Sequence, residues 1–251
     1  MNFNQLPIML NYREEANNPV CLMDDILLKD PNLYIPNKAP TTSSLILKNS
    51  PLTRQLTTAY IFNSKENINK NLATGKSTSG TTLYESISPK TYKNLVGITD
   101  PIWFDNTFLI PLASNMTISF AVTPIKTVTK ESYFFILANN LNFWYRHSMG
   151  YMRAYVDGLN LDWSVTPVVG YTYHFTLICQ GGVSNGTTLW MNGVWKQQTT
   201  STCSFIQPSY SCALNSSDEW LMSYFYVWHR LFAHSDLKGI TLDPYQIVDI
   251  Q

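Results

Sequence analysis

One stretch constrains the fold of this chain more than any other: Thr187-Thr-Leu-Trp-Met-Asn-Gly-Val-Trp-Lys196. Leu189 and Met191 alternate with Trp190, the period of a strand with two different faces. Asn192-Gly193 follows, the dipeptide that best fits a type I′ turn. Both central residues of that turn need positive φ, which Asn tolerates and Gly adopts freely. Val194-Trp195 then starts the return strand. A two-residue hairpin fixes register, and register fixes which side chains face the core.

Further runs along the chain read as strands. Met116-Thr-Ile-Ser-Phe-Ala-Val122 alternates cleanly and ends at Thr123-Pro124, which predicts a half-buried strand that stops where proline removes a ladder donor. Ser132-Tyr-Phe-Phe-Ile-Leu-Ala138 predicts a strand buried on both faces. Residues 141–146 and 151–156 read as two more, the second closed by Asp157-Gly158. Residues 54–62, 171–178 and 220–228 add three, and 82–84, 92–96, 103–104 and 108–110 are shorter candidates. His234 to Gly239 predicts a short helix or turn. About ten short strands with turns between them and no long helical period predict an all-β sandwich or jelly roll.

Residues 1–49 differ. Pro7, Pro19, Pro31, Pro36 and Pro40 interrupt both helix and central strand, yet the apolar residues Leu6, Ile8, Leu10, Leu33, Tyr34 and Ile35 would serve no purpose in a solvated linker. The segment is expected to be an extended arm that lies against its own domain or a neighbouring subunit, with residues 50–251 forming the β-sandwich. Charged residues are only 14% of the chain and the net charge is zero, so the basic footprint that nucleic-acid binding needs is missing. No apolar run reaches the roughly 18 residues of a membrane span, and the first residues show no secretory signal pattern. The four cysteines, Cys21, Cys179, Cys203 and Cys212, form no zinc spacing. Cys179 reads as a buried small hydrophobe, and Cys203 with Cys212 as a pair able to close a short loop in an oxidising compartment.

Four stretches, covering roughly residues 50–248, carry a resemblance. Pro51-Leu-Thr-Arg-Gln-Leu-Thr-Thr-Ala-Tyr-Ile-Phe-Asn63 resembles the opening "P-L-x-x-G-L-x-x-A-W-x-F-N" of laminin G-like, concanavalin A-like jelly rolls, with Gln55 where glycine is usual. Met116 to Pro124 is similar to the "S-I-S-F-W-V-K-P" strand of that family. Tyr173 to Leu177, then Thr188 to Val194, resemble "W-H-H-V-A-L … L-Y-V-N-G-V". Tyr224 to Leu237, with the ending Leu242-Asp-Pro-Tyr-Gln246, resembles the closing "I-Y-N-R-A-L-S-x-x-E-I … L-x-x-D-P-Y-Q", and this ending looks like the versions found in tailed-phage structural proteins. The resemblance implies a two-sheet antiparallel jelly-roll sandwich. Fold analogy alone does not give function, because this sandwich hosts lectins, hydrolases and structural modules.

The residues speak against an enzyme. Sugar-cleaving sandwiches use paired carboxylates, and no Glu-x-Asp-x-x-Glu run occurs here. Asp157 and Asp162 flank a turn, and Asp218-Glu219 would point to opposite faces of a strand. No nucleophile-elbow motif accompanies His147, His174, His229 or His234; His174 and His229 sit in apolar strands and read as structural. A sugar site would draw on Trp144, Arg146, Tyr151, Arg153, Tyr155 and Trp163, which lie on successive strands; the alternative for these is core or inter-subunit contact. No cofactor or metal site is expected. The family's calcium stays open, because Asp105, Asn106 and Asp157 offer oxygens but fall short of the six ligands calcium takes. The resulting expectation is a non-enzymatic phage virion protein: a capsid decoration, head-fibre or tail-associated subunit on the particle surface, made in the host cytoplasm. It would be anchored by its arm to other virion proteins, homo-oligomeric, and able to bind host surface glycans, with neither nucleic acid nor membrane insertion. The runner-up is a carbohydrate- or receptor-binding adhesion module, and a glycoside hydrolase or lyase of the same fold comes third.

Overall fold

The computed structural model describes residues 45–62, 67, 70–75, 83–87, 90–94, 102–103, 115–136, 141–204, 213–214 and 219–250, all within the compact unit Pro36–Gln251. The expected arm residues Leu6, Ile8, Leu10, Leu33, Tyr34 and Ile35 lie outside the described residues, as do Cys21, Asp105, Asn106 and Cys212.

The chain is all-β, built on two antiparallel sheets packed face to face. One sheet, called the outer sheet below, has the order β10 (Leu159–Ser164), β9 (Tyr151–Val156), β8 (Leu141–Arg146), β7 (Ser132–Ile136), β14 (Ala213–Leu214), β5 (Ile102–Trp103). The other, the middle sheet, runs β13 (Val194–Gln198), β12 (Thr187–Met191), β11 (Tyr173–Gln180), β6 (Asn115–Pro124), β15 (Trp220–Trp228), β4 (Lys90–Asn94), β3 (Leu83–Ile87). Strand β2 (Leu56–Ile61) pairs with the second half of β15, where the pairing with β4 has ended. A two-stranded ribbon of β1 (Leu45–Leu47) and β16 (Val248–Ile250) brings together the two ends of the described chain, and Lys48 Nζ lies 3.3 Å from Asp249 across it.

Between the sheets lies a core of aromatic rings centred on Phe120. Its centroid is 5.0 Å from Phe143, 5.4 Å from Phe135 and from Phe175, and 6.4 Å from Phe225. Offset and edge-on ring pairs at these distances add to the stabilisation from burial itself. The far side of the middle sheet is covered as well. Helix α1 (His234–Leu242) and the β1/β16 ribbon lay Leu237, Ile240, Val248 and Leu45 over Ala59, Ala121, Tyr224, Tyr226 and Trp228.

That cover corrects the half-buried reading of β6: every described residue from Met116 to Pro124 is buried. Its polar members survive burial by bonding. Thr117 Oγ1 donates to the Arg230 carbonyl (2.8 Å), Thr123 pairs with Thr172 (2.8 Å), and Ser119 meets the Tyr224 hydroxyl (3.2 Å). Burial pushes the Tyr224 hydroxyl well above the usual phenol range.

The hairpin is also a junction. Asn192 has φ 52° and Gly193 φ 77°. Asn192 is buried: its Oδ1 accepts the His174 amide (2.9 Å), its own amide donates to the His174 carbonyl (2.7 Å), and its Nδ2 donates to the Tyr171 hydroxyl (2.9 Å). A Cβ at Gly193 would come within 3.3 Å of Thr241 on α1. The closing Asp243-Pro-Tyr-Gln246 secures the end of that helix, since Gln246 Nε2 donates to the carbonyls of Gly239 (2.6 Å) and Asp243 (2.9 Å), and the Tyr226 hydroxyl donates to the Pro244 carbonyl (3.1 Å).

Candidate carbohydrate-binding face

The outer sheet leaves one face to solvent, and strand alternation decides what it carries. Along β8, Leu141, Phe143 and Tyr145 are buried while Asn142, Trp144 and Arg146 are partly exposed. Along β9, Met152, Ala154 and Val156 are buried and Tyr151, Arg153 and Tyr155 are partly exposed. The register then lines these residues up in three cross-strand rows. Tyr133, Trp144, Arg153 and Asp162 form the central row; Arg146, Tyr151 and Ser164 lie on one side; Asn142, Tyr155 and Asn160 lie on the other.

The central row is tightly connected. Tyr133 stacks on Trp144 with centroids 5.5 Å apart and planes 24° apart. Arg153 grips Asp162 with two bonds of 2.6 Å, Nε to Oδ1 and Nη2 to Oδ2, the bidentate geometry that suits a planar fork. The same guanidinium lies 5.7 Å from the Trp144 ring and 5.0 Å from the Tyr151 ring, and its Nη2 donates to the Tyr151 hydroxyl (2.7 Å). The Asp162 hydrogen bond holds the guanidinium charged above its already high range. Arg146 sits 5.9 Å from the Tyr151 ring. At the same end, Glu131 accepts from Ser148 Oγ (3.0 Å). Burial, with Glu131 nearby as a second cause, raises the Tyr145 hydroxyl on the inner side.

Of the six residues expected at a sugar site, Trp144, Arg146, Tyr151, Arg153 and Tyr155 share this face. Trp163 does not. It pairs with the buried Met152, which places it on the opposite side of β10, where Lys196 Nζ lies 4.8 Å from its ring. Trp163 is therefore not part of the rows. Tyr133 was hidden from the sequence inside an apolar run expected to be buried on both faces. The register shifts between Tyr133 and Phe135, so Phe134 and Phe135 both turn into the core and Tyr133 stays 39% exposed.

The carboxylates have structural partners. Asp162 is held by Arg153, and Asp157, in the β9–β10 turn with φ 46°, accepts the Ser204 amide. Glu219 is buried at the start of β15 and accepts from the amides of Thr129 (2.9 Å) and Lys130 (3.1 Å) and from Thr129 Oγ1 (2.5 Å), fixing the β6–β7 loop. Nothing in the sequence separates it from its neighbour Asp218. Among the described residues no three His, Cys, Asp or Glu side chains gather in a group able to hold a metal ion. His174 is buried with Nδ1 3.2 Å from the Tyr224 hydroxyl. Cys179 and Cys203 are buried free thiols, and burial, with Cys203 as a second cause, pushes the Cys179 thiol well up. No described helix is long and apolar enough to cross a membrane.

No protein-family model and no curated protein matches the chain. Solved structures do, at the level of fold. The binding domain of Paraclostridial Mosquitocidal Protein 1 superposes with a TM-score of 0.59 at 13% identity, over 76% of this chain and 52% of that one. The ligand binding domain of botulinum neurotoxin serotype D in complex with N-acetylneuraminic acid gives 0.58 at 12% identity, over 76% and 52%. A mutant Trypanosoma rangeli sialidase displaying trans-sialidase activity gives 0.55 at 10%, over 76% and 33%. This chain spans about half the length of the first two domains, and identities this low carry the fold alone. The fold so shown is an all-β sandwich.

Proposed function

We propose that the chain is a non-enzymatic adhesion module that binds carbohydrate on the outward face of β7–β10. The observation that carries this reading is the central row: a stacked Tyr133/Trp144 pair beside the Arg153–Asp162 fork, all on one solvent-facing side. Aromatic rings offer an apolar platform for sugar C–H surfaces, and the guanidinium and carboxylate offer donors and acceptors for hydroxyls. The neurotoxin domain that shares the fold carries a bound sugar, which is consistent with this use of the architecture. Asp162 and Glu219 serve as ion-pair and loop anchors, which favours binding over hydrolysis. The module belongs, on this reading, to a phage particle surface, with the segment before residue 50 tying it to other virion subunits and several copies assembled together. The support for that setting is the phage-like ending Asp243-Pro-Tyr-Gln246.

A glycan array probed with the purified chain and with Trp144→Ala tests the binding. Selective binding that the variant loses is expected. Absence of binding to any glycan, or an unchanged variant, would sink the proposal. Mass spectrometry of purified particles tests the setting, where the chain should appear in many copies.

A further inference from the structure

The three rows are not equivalent decorations of one pocket. Each centres on an aromatic ring with hydrogen-bonding side chains beside it. Tyr151 stands between Arg146 and Ser164, Trp144 between Tyr133 and Arg153, and Tyr155 between Asn142 and Asn160. Successive rows are two residues apart along the strands, which spaces them by about 7 Å, and the outermost rings Tyr151 and Tyr155 by about 14 Å. A single pyranose cannot reach all three rows. A chain of sugars running along β8 and β9 can.

The charges of the face also choose among sugars. Arg153 is neutralised by Asp162 through two short bonds. Arg146 shares its end of the face with the exposed Glu131, which directly precedes Ser132, the partner of Tyr145. Two cations and two anions thus cancel. The third row is uncharged, with two amides around a phenol. An anionic chain lying along all three rows would meet Asp162 and Glu131 as well as Arg153 and Arg146, and so gain no net attraction.

The geometry points to a three-subsite track for a neutral polysaccharide chain, one sugar unit per row. This rests on the carbohydrate-binding reading above and specifies its ligand class. The track would take a segment of at least three units from within a longer neutral glycan.

Titration calorimetry tests it with two ladders of one to six units: neutral gluco-, manno- and galacto-oligosaccharides, and oligogalacturonides. Affinity for the neutral ladder is expected to rise about tenfold per unit from one to three and then level off. Tyr155→Ala should bring the trimer down to about the affinity of the dimer, while the dimer, which still fits the other two rows, loses no more than about twofold. The double variant Asn142→Ala/Asn160→Ala, which keeps the ring, should move the same step in the same direction, so a misfolded Tyr155→Ala does not decide the matter. Affinity independent of length, or preference for the galacturonides, would overturn the track while leaving the adhesion reading in place. Failure of both ladders together with an empty glycan array would remove the adhesion reading and the track with it.

Discussion

Replacing Asn192 tests the claim that its side chain ties the β12–β13 turn to the start of β11. Asn192→Ala leaves the buried His174 amide without its side-chain acceptor, which costs about 1–3 kcal/mol. It also removes the donor to the Tyr171 hydroxyl, worth about 1 kcal/mol. Alanine must then adopt the left-handed backbone that Asn192 holds at φ 52°, a further roughly 1–2 kcal/mol. The expected loss is about 3–6 kcal/mol. Asn192→Gly loses the same two bonds and escapes the left-handed penalty, but gives up about 0.5–1 kcal/mol in unfolded-chain entropy. Glycine should therefore be the more stable of the two by about 1 kcal/mol. Urea unfolding of both variants, read at constant m-value, measures this directly. Equal midpoints for the two variants, or a loss under about 1 kcal/mol in Asn192→Ala, would refute the reasoning.

Phe120→Ala removes the ring at the centre of the inter-sheet cluster and should cost about 3–5 kcal/mol in the same assay. Asp162→Asn breaks the fork to Arg153 on a partly exposed face, so the cost should be only about 1 kcal/mol and should shrink in high salt; a double-mutant cycle with Arg153→Met isolates the pair. His229 is half-buried, its Nε2 finds no hydrogen-bond partner among the described residues, and burial lowers its pKa below the usual imidazole value. The unfolded chain then binds the proton more readily than the folded one, so this contribution to stability is complete above about pH 6.5 and is lost as pH falls through the lowered folded value. His229→Gln should flatten that part of the decline in thermal midpoint below about pH 6.5, and an unchanged slope would assign the decline to other groups.

Much of this fold was legible in the residues. Period-two alternation located β6 and β11, and apolar runs rich in aromatic and β-branched residues between turn signals located β8, β9 and β15. Asn192-Gly193 marked the β12–β13 turn because few residue pairs accept two positive φ values in succession. Five of the six expected sugar-site residues share one face for the same reason: Trp144, Arg146, Tyr151, Arg153 and Tyr155 sit at matching parity on two adjacent strands. Parity within a strand is a local property, and the sequence states it.

What the sequence left open depends on partners distant along the chain. The burial of Thr117 and Ser119 on β6 follows from α1 and the terminal ribbon closing over the middle sheet, more than a hundred residues downstream in the case of α1. Trp163 left the expected site because its pairing with Met152, not its own composition, sets the side it faces. Tyr133 joined the site because a bulge at Phe134 changes parity within an apolar run, and both parities of such a run look alike in sequence. The rows themselves are a property of inter-strand register. Local residue chemistry fixed which groups each strand presents; only the tertiary pairing of β7, β8, β9 and β10 decided which of them stand side by side.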